Sequence, residues 1–248
     1  MVEPLCDGVG LLGPLDELFP DTSEEDWLPY RERYPELISG NEWRLPIMCF
    51  LVREGEQTVL VDTGAGPKGL WTEWAPEPES QEGLLRELSA RDVEPEDIDI
   101  VLMTHVHIDH VGWNVRDDGS PTFPRARHLL HEDALEAARR RADRAHIPRC
   151  VLSLEDRLET VVDGEEITPG VTVAALPGHD DGHIGLRVGH HSMIVADAVP
   201  HPAQLDRPEW SFGHDKEPQR AIDTRRRILD ESGHMLIYMS HFQSGWHT

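Results

Sequence analysis

Apolar positions in this chain follow two periods, and the two alternate along its length. The stretch "IMCFLVREGEQTVLVDTG", residues 47 to 64, places apolar residues on both sides of Glu54-Gly55, the pattern of a β-hairpin whose second strand ends in a loop at Asp62. In "SQEGLLRELSARDV", Leu84, Leu85 and Leu88 follow a Ser80 cap at helical spacing, which predicts an amphipathic helix of about ten residues with Pro95 at its exit. "DIDIVLMT" then reads as a buried strand, followed by the polar loop "RDDGSPTFP", a short strand near "ARHLLH" and a helix over roughly 132 to 146. Residues 159 to 176 hold strands punctuated by Asp163-Gly164 and Pro169-Gly170, and "IGLRVGHHSMIVADAV" is a second hairpin that turns at Gly189-His190. "EPQRAIDTRRRILDES" is a helix and "MLIYM" a last strand. Residues 1–46, rich in Pro, Trp, Tyr and acids from residue 14 on, read as an irregular N-terminal arm with one short helix.

Runs of strands separated by helices, recurring in two halves, predict an α/β (α+β) chain in which two sheets are sandwiched between helix layers, a four-layer αβ/βα arrangement. No repeat and no linker divides it, so one domain over residues 1–248 is expected.

Composition narrows the partners. Lys and Arg number 23 against 47 Asp and Glu, a net charge of -24 that repels nucleic acid and anionic membrane surfaces. The N-terminal stretch lacks the basic start and uninterrupted apolar core of a signal peptide, and no apolar run reaches about 18 residues, so a cytoplasmic protein with no membrane span is expected. Three scattered cysteines, Cys6, Cys49 and Cys150, fit free thiols in a reducing compartment. Fifteen histidines are the oddity, and they direct attention to metals.

They are concentrated where strands end. In "THVHIDH", His105 and His107 are two apart and leave the same face of an extended segment, with Asp109 and His110 on the turn that follows. Imidazole and carboxylate are the donors that hold zinc, manganese or iron, and this cluster fills one site but not two. Three further strand ends supply more: "ALPGHDDGH" offers His179, "MIVADAV" Asp197 and "MLIYMSH" His241.

In this order of residues, HxHxDH followed by His, Asp and His, the chain resembles the metallo-β-lactamase superfamily over about residues 47 to 242, and "VDTG" at Asp62 and "DHVGWN" extend the match. The resemblance implies the metallo-β-lactamase fold, with His105, His107 and His179 on one metal, Asp109, His110 and His241 on a second, and Asp197 bridging. It makes Asp109 a catalytic as well as a ligand residue, and Asp62 an acid that orients a ligand imidazole. The implied cofactor is two Zn2+, with Mn2+, Co2+ or Fe2+ as alternatives. Two ions about 3.5 to 4 Å apart would turn a shared water into a hydroxide nucleophile near neutral pH.

Within the superfamily, the missing ligand cysteine disfavours β-lactam hydrolysis, and the net charge of -24 disfavours the nucleases. The chain runs only seven residues past His241, which leaves no room for the basic C-terminal helices of glyoxalase II enzymes. What remains resembles the N-acyl-homoserine lactonases and their esterase-like or organophosphate-hydrolysing relatives, which implies a small-molecule lactone or ester as substrate. One departure stands out: those enzymes place a tyrosine three residues after the bridging aspartate, where this chain has Pro200, and His201 is the nearby residue that offers a replacement at the pocket mouth. Other chemistries of the fold are a mononuclear iron oxygenase of the persulfide dioxygenase type and a phosphotriesterase-like hydrolase; a silent scaffold is weak, because every ligand position is filled.

The remaining polar features have plainer readings. His183 supports His179 or its loop, His190 and His191 are solvated at a hairpin turn, and His128, His131, His146, His214, His234 and His247 read as surface residues. "GVGLLG" spells a dinucleotide fingerprint but has no preceding strand and runs into Pro14, so it reads as part of a turn-rich arm. The triple arginines at 139–141 and 225–227 read as solvated helix faces. The aromatic arm, with Trp27, Tyr30, Tyr34 and Trp43, is expected to flank the cleft, line the substrate pocket or pair two subunits as a homodimer.

Overall fold

The computed structural model describes residues 1–70 and 83–247. Among them, seven strands form a first sheet: β1 (Val2–Pro14), β2 (Ile38–Ser39), β3 (Glu42–Glu54), β4 (Gln57–Val61), β5 (Ile100–Leu102), β6 (Arg127–His131) and β7 (Leu158–Val161), in the order β1-β3-β4-β5-β6-β7 with β2 on β3. Six form a second: β8 (Glu166–Thr168), β9 (Val171–Ala175), β10 (Ile184–Val188), β11 (Ser192–Ile194), β12 (Leu236–Tyr238) and β13 (Trp246–His247), in sequence order. The helices are α1 (Leu15–Leu18), α2 (Leu28–Arg33), α3 (Gly83–Ser89), α4 (Ile108–Val111), α5 (Glu132–Arg140), α6 (His146–Cys150), α7 (Ala203–Asp206) and α8 (Pro218–Ser232).

The continuous apolar runs in the sequence are strands buried on both faces. Phe50, Val52, Val59, Val61, Ile100 and Leu102 point inward and meet Val171, Val173, Ile184, Leu186 and Ile194 of the second sheet. Their neighbours Cys49, Leu51, Leu60 and Val101 point outward, against Leu84 and Leu88 of α3. On the far side, Ala174, Met193 and Ile237 face Ile228 of α8. Period-2 alternation thus serves two cores at once and gives helix, sheet, sheet and helix layers, the four-layer α/β sandwich expected from the strand pattern.

Both predicted hairpins form, at Gly55 (φ +68°) and around Gly189 (φ +55°), where the turn needs the left-handed conformation that glycine adopts at little cost. The Ser80 cap lies outside the described residues. The helix read over 132 to 146 is shorter, ending at Arg140 before a separate turn at α6.

The N-terminal arm is the main correction. Residues 2 to 14 are a 13-residue strand paired with β3 from Val2↔Val52 to Pro14↔Glu42, and irregular structure begins only after it. Pro4, Gly8, Gly10, Gly13 and Pro14 hide this strand from pattern reading. It tolerates them because it occupies the sheet edge and carries register shifts at Cys6/Gly8 and Leu11/Gly13. The "GVGLLG" segment belongs to this edge strand, not to a turn or a nucleotide loop. Among the described residues no helix is long and apolar enough to cross a membrane.

Candidate metal centre

The C-terminal ends of β4, β5, β9, β11 and β12 lie on one edge of the two sheets, and the chemistry gathers there. Beyond β4 comes Asp62 and beyond β5 come Thr104 to His110, with His107 still extended (φ -69°, ψ 157°) at the start of α4. His179 follows β9, Asp197 sits on a tight turn after β11, and His241 follows β12. Cross-links hold this edge: Ile184 N–H donates to Thr104 O at 3.0 Å, and Met48 N–H to Ser240 O at 2.9 Å. Asp62 and Ala196 adopt left-handed φ of 59° and 46°, strain concentrated at two strand ends of the site.

All seven sequence candidates converge. His105, His107, His179 and Asp197 offer ligand atoms within 4.8 Å of one another, and Asp109, His110 and His241 do the same as a second group. Asp197 Oδ2 lies 3.5 Å from His179 Nε2, 3.5 Å from His110 Nε2 and 3.2 Å from His241 Nε2, between the two groups.

Hydrogen bonding sets the tautomer of each imidazole. Asp62 accepts from Thr104 N–H and from the Thr104 hydroxyl, both at 2.8 Å, and from His110 Nδ1–H at 2.7 Å, the orienting role the sequence suggested for it. Because the Thr104 hydroxyl proton goes to Asp62, its oxygen accepts from His105 Nδ1–H at 3.1 Å. His179 Nδ1–H donates to Asp215 Oδ1 at 3.1 Å and His241 Nδ1–H to Pro46 O at 2.8 Å, while His107 Nε2 faces Asp180 Oδ2 at 3.5 Å. In their neutral, ligating form His105, His110, His179 and His241 therefore carry the proton on the outer Nδ1, and His107 turns its Nε2 toward the Asp180 carboxylate.

The inner nitrogens are left as lone pairs pointing at each other: His105 Nε2 lies 2.9 Å and His179 Nε2 3.3 Å from His107 Nδ1. Such contacts are repulsive without a cation, and edges near 3.3 Å are about those of a tetrahedron with metal–nitrogen bonds of about 2.0 Å. His110 Nε2 and Asp197 Oδ1 are buried with no hydrogen-bond partner, two more unmet donors to a metal. The donor set fits two divalent ions.

The electrostatics differ between the groups. Burial drives His105 well below its usual range and His107 down to about 3, so both stay neutral. Burial also pulls His110 and His241 down, but the carboxylates of Asp109 and Asp197 outweigh it and raise both. Those carboxylates are themselves lowered against the opposing effect of burial, by the charges of His110 and His241.

A cleft opens over this centre. Leu12, Leu45, Ile108 and Phe212 form its apolar wall, and Arg144, His146 and His214 supply polar lining beside His107, Asp109, His179, Asp197 and His241. Phe212 stacks on His179 at 6.1 Å, and Trp43 meets His241 edge-on at 5.7 Å.

Several plainer readings change here. His128 and His146 are buried rather than surface residues, and His146 and His214 line the cleft. His201 does not line it: the ring is fully buried among Trp27, Trp43 and Tyr34, at 5.0, 5.4 and 6.0 Å, and its Nδ1 accepts from Ala203 N–H. His183 packs against His105 and His179, at 5.0 and 5.7 Å, without joining either ligand group. Arg225 is wholly buried, and Arg141 pairs with Asp180, so neither belongs to a solvated face. Asp180 adjoins His179 in sequence and could have been read from it. Asp215, 36 residues from His179, carries no spacing signal.

A sequence profile of the metallo-beta-lactamase superfamily matches residues 43–241. An N-acyl homoserine lactonase of Bacillus cereus is 28% identical over 164 residues, which are 61% of this chain and 62% of that protein, so this chain spans less than two thirds of the relative's length. The solved structure of AidC, a dizinc quorum-quenching lactonase in complex with a product, superposes with a TM-score of 0.82 at 18% identity, covering 97% of this chain and 86% of that one. The hydrolase AbOPH superposes with a TM-score of 0.79 at 25% identity, covering 100% and 89%.

Proposed function

The chain belongs to the metallo-β-lactamase superfamily, and from that premise we propose that it is a dinuclear metal-dependent hydrolase that opens a lactone or cleaves a carboxylic ester. The observation that carries this reading is the donor set: five imidazoles with their protons held outward and two carboxylates, arranged as two adjacent groups. We assign His105, His107 and His179 to one ion, Asp109, His110 and His241 to the other, and the shared position to Asp197.

When bound, the two ions would polarise a carbonyl and bring the ionisation of a water toward neutral pH. The protein residues do the rest. Asp62, Asp180, Asp215 and the Pro46 carbonyl keep the imidazoles in ligand orientation. Asp109, which lines the cleft, is the carboxylate assigned to take the proton released by the attacking water and pass it to the leaving alkoxide oxygen. Leu12, Leu45, Ile108 and Phe212 hold an apolar acyl part and exclude water around the reacting carbonyl. Pro200 has no hydroxyl, and His201 is sealed in its aromatic box, so His214 on the cleft wall is assigned to hold the carbonyl oxygen.

Zinc suits this donor set, and the dizinc relative supports it. A second group filled as completely as the first favours hydrolysis over one-iron redox chemistry. A reducing, cytoplasmic setting suits the free cysteines Cys6, Cys49 and Cys150.

The test is a panel of lactones, aryl esters, phosphotriesters and β-lactams with zinc, manganese and cobalt forms, alongside metal analysis. The highest kcat/KM should fall on a lactone or carboxylic ester. Best activity on a β-lactam or a phosphotriester would overturn the substrate class, and a single iron with oxygen uptake on a persulfide would overturn hydrolysis itself.

A further inference from the structure

Arg225, on the inner face of α8, is a guanidinium with no exposed surface, and its Nη1 lies 3.2 Å from Oδ2 of Asp215, whose side chain is equally buried. Buried ion pairs are poor stabilisers, since desolvation offsets their attraction and apolar replacements are often neutral or better. This one therefore asks for a reason other than stability.

Its surroundings supply one. Asp215 Oδ1 accepts from His179 Nδ1–H at 3.1 Å. The same guanidinium donates from Nε to Pro208 O at 3.1 Å, from Nη2 to Trp210 O at 3.0 Å, and from Nη1 to Ala198 O at 3.5 Å, one residue beyond Asp197. The loop bearing His179 is itself pressed onto α8. A Cβ on Gly178 (φ +127°) would meet Ala221 N at 2.2 Å, and the Thr224 hydroxyl donates to Pro177 O at 2.6 Å.

We propose that Asp215 and Arg225 are positioning residues for His179, a relay through which α8 sets the affinity of the three-histidine metal site. Asp215 fixes the ring and directs its Nε2 lone pair inward. Arg225 locks the carboxylate from behind and balances its charge, and it fixes the backbone after Asp197 in the same frame. By contrast the Asp62 carboxylate, behind His110, accepts from the Thr104 N–H, the Thr104 hydroxyl and that imidazole, so the two sites are supported in different ways. This inference rests on the ligand assignment proposed above.

The test is zinc affinity, read by competition with a chromophoric chelator on zinc-loaded protein, together with thermal unfolding. Asp215→Leu and Arg225→Met should each weaken one of the two zinc ions by about 10- to 100-fold and leave the other unchanged. The double variant D215L/R225M, with no unpaired buried charge, should recover stability lost by the single variants without recovering zinc affinity. Recovery of affinity together with stability, or wild-type affinity in the double variant, would overturn the relay. His179→Ala separates the two claims. If it loses one ion while the double variant keeps both tightly, the ligand assignment stands and the relay falls; if it keeps both at wild-type affinity, the assignment itself fails.

Discussion

Gly112 is a place where one methyl group should disable the site without removing any ligand. Its φ of -61° is ordinary helical backbone, so alanine meets no conformational obstacle there. Space is the obstacle: a Cβ would lie 2.1 Å from Ala65 C, 2.3 Å from Ala65 O and 2.3 Å from Gly66 N, all backbone atoms. Ordinary contact begins at 3.4 Å, so the segments must separate by 3.4 − 2.1 = 1.3 Å. Those segments are the two that define His110. Thr63 N–H donates to His110 O at 2.7 Å, Gly112 N–H to Gly64 O at 2.8 Å and Trp113 N–H to Thr63 O at 3.1 Å, next to the Asp62–His110 bond of 2.7 Å. Overpacking of this kind costs about 1–3 kcal/mol, or roughly 2–12 °C in Tm for a chain of this size. A displacement of about 1 Å at a reacting centre costs on the order of 100-fold in rate. Gly112→Ala should therefore fold, lose the ion assigned to Asp109, His110 and His241, and fall about 100-fold in kcat/KM, as read by metal analysis and lactone turnover. Gly10→Ala, where a Cβ meets nothing within 4 Å, is the control. A Gly112→Ala protein with full metal content and full activity would refute the argument.

Three further outcomes are expected. Wild-type protein purified without chelator should carry two zinc equivalents, and Asp109→Asn should retain one while keeping its fold, checked by elemental analysis and circular dichroism. Burial lowers His128 from 6.5 to about 4, so its neutral form favours the native state: the contribution is fully present above pH 6.5 and is lost as pH falls through 4, amounting to about 2 to 3 kcal/mol by pH 4.5. Denaturant midpoints of His128→Leu should therefore decline less than those of wild type between pH 7.5 and 4.5, and parallel curves would count against the assignment. His214→Ala should lower kcat on a lactone by about 10- to 1,000-fold with metal content unchanged, and a loss confined to KM would show that it only lines the cleft.

What could be read in advance was whatever short-range pattern encodes. The strands around Phe50, Val59 and Val101 and the helix through Ile228 announce themselves by apolar period, because burying a strand or helix face leaves that period in the sequence. His105, His107, Asp109 and His110 share one strand end, and His179, Asp197 and His241 each close another, so the seven candidate ligands were visible as a list. The edge strand over residues 2 to 14 was not, because its glycines and prolines carry no alternation and its stability comes from pairing with β3.

The environment of each candidate could be read only in three dimensions. In the sequence His128, His146 and His214 read alike as surface residues and His201 as a residue of the pocket mouth, yet His128 is buried in the first sheet, His146 and His214 line the cleft and His201 is enclosed by Trp27, Trp43 and Tyr34. Asp215 and Arg225 come to stand behind His179 because α8 folds back over the second sheet, and Asp62 meets His110 because β4 and β5 run parallel with their ends together. Local sequence specifies which groups lie on a strand end or helix face, since that depends on neighbours a few residues away. Which nitrogen of an imidazole carries its proton, and which lone pairs converge on a shared point, depends on partners tens of residues distant, for His105 through the Asp62 carboxylate that takes the Thr104 hydroxyl proton, and only the packed chain brings those together.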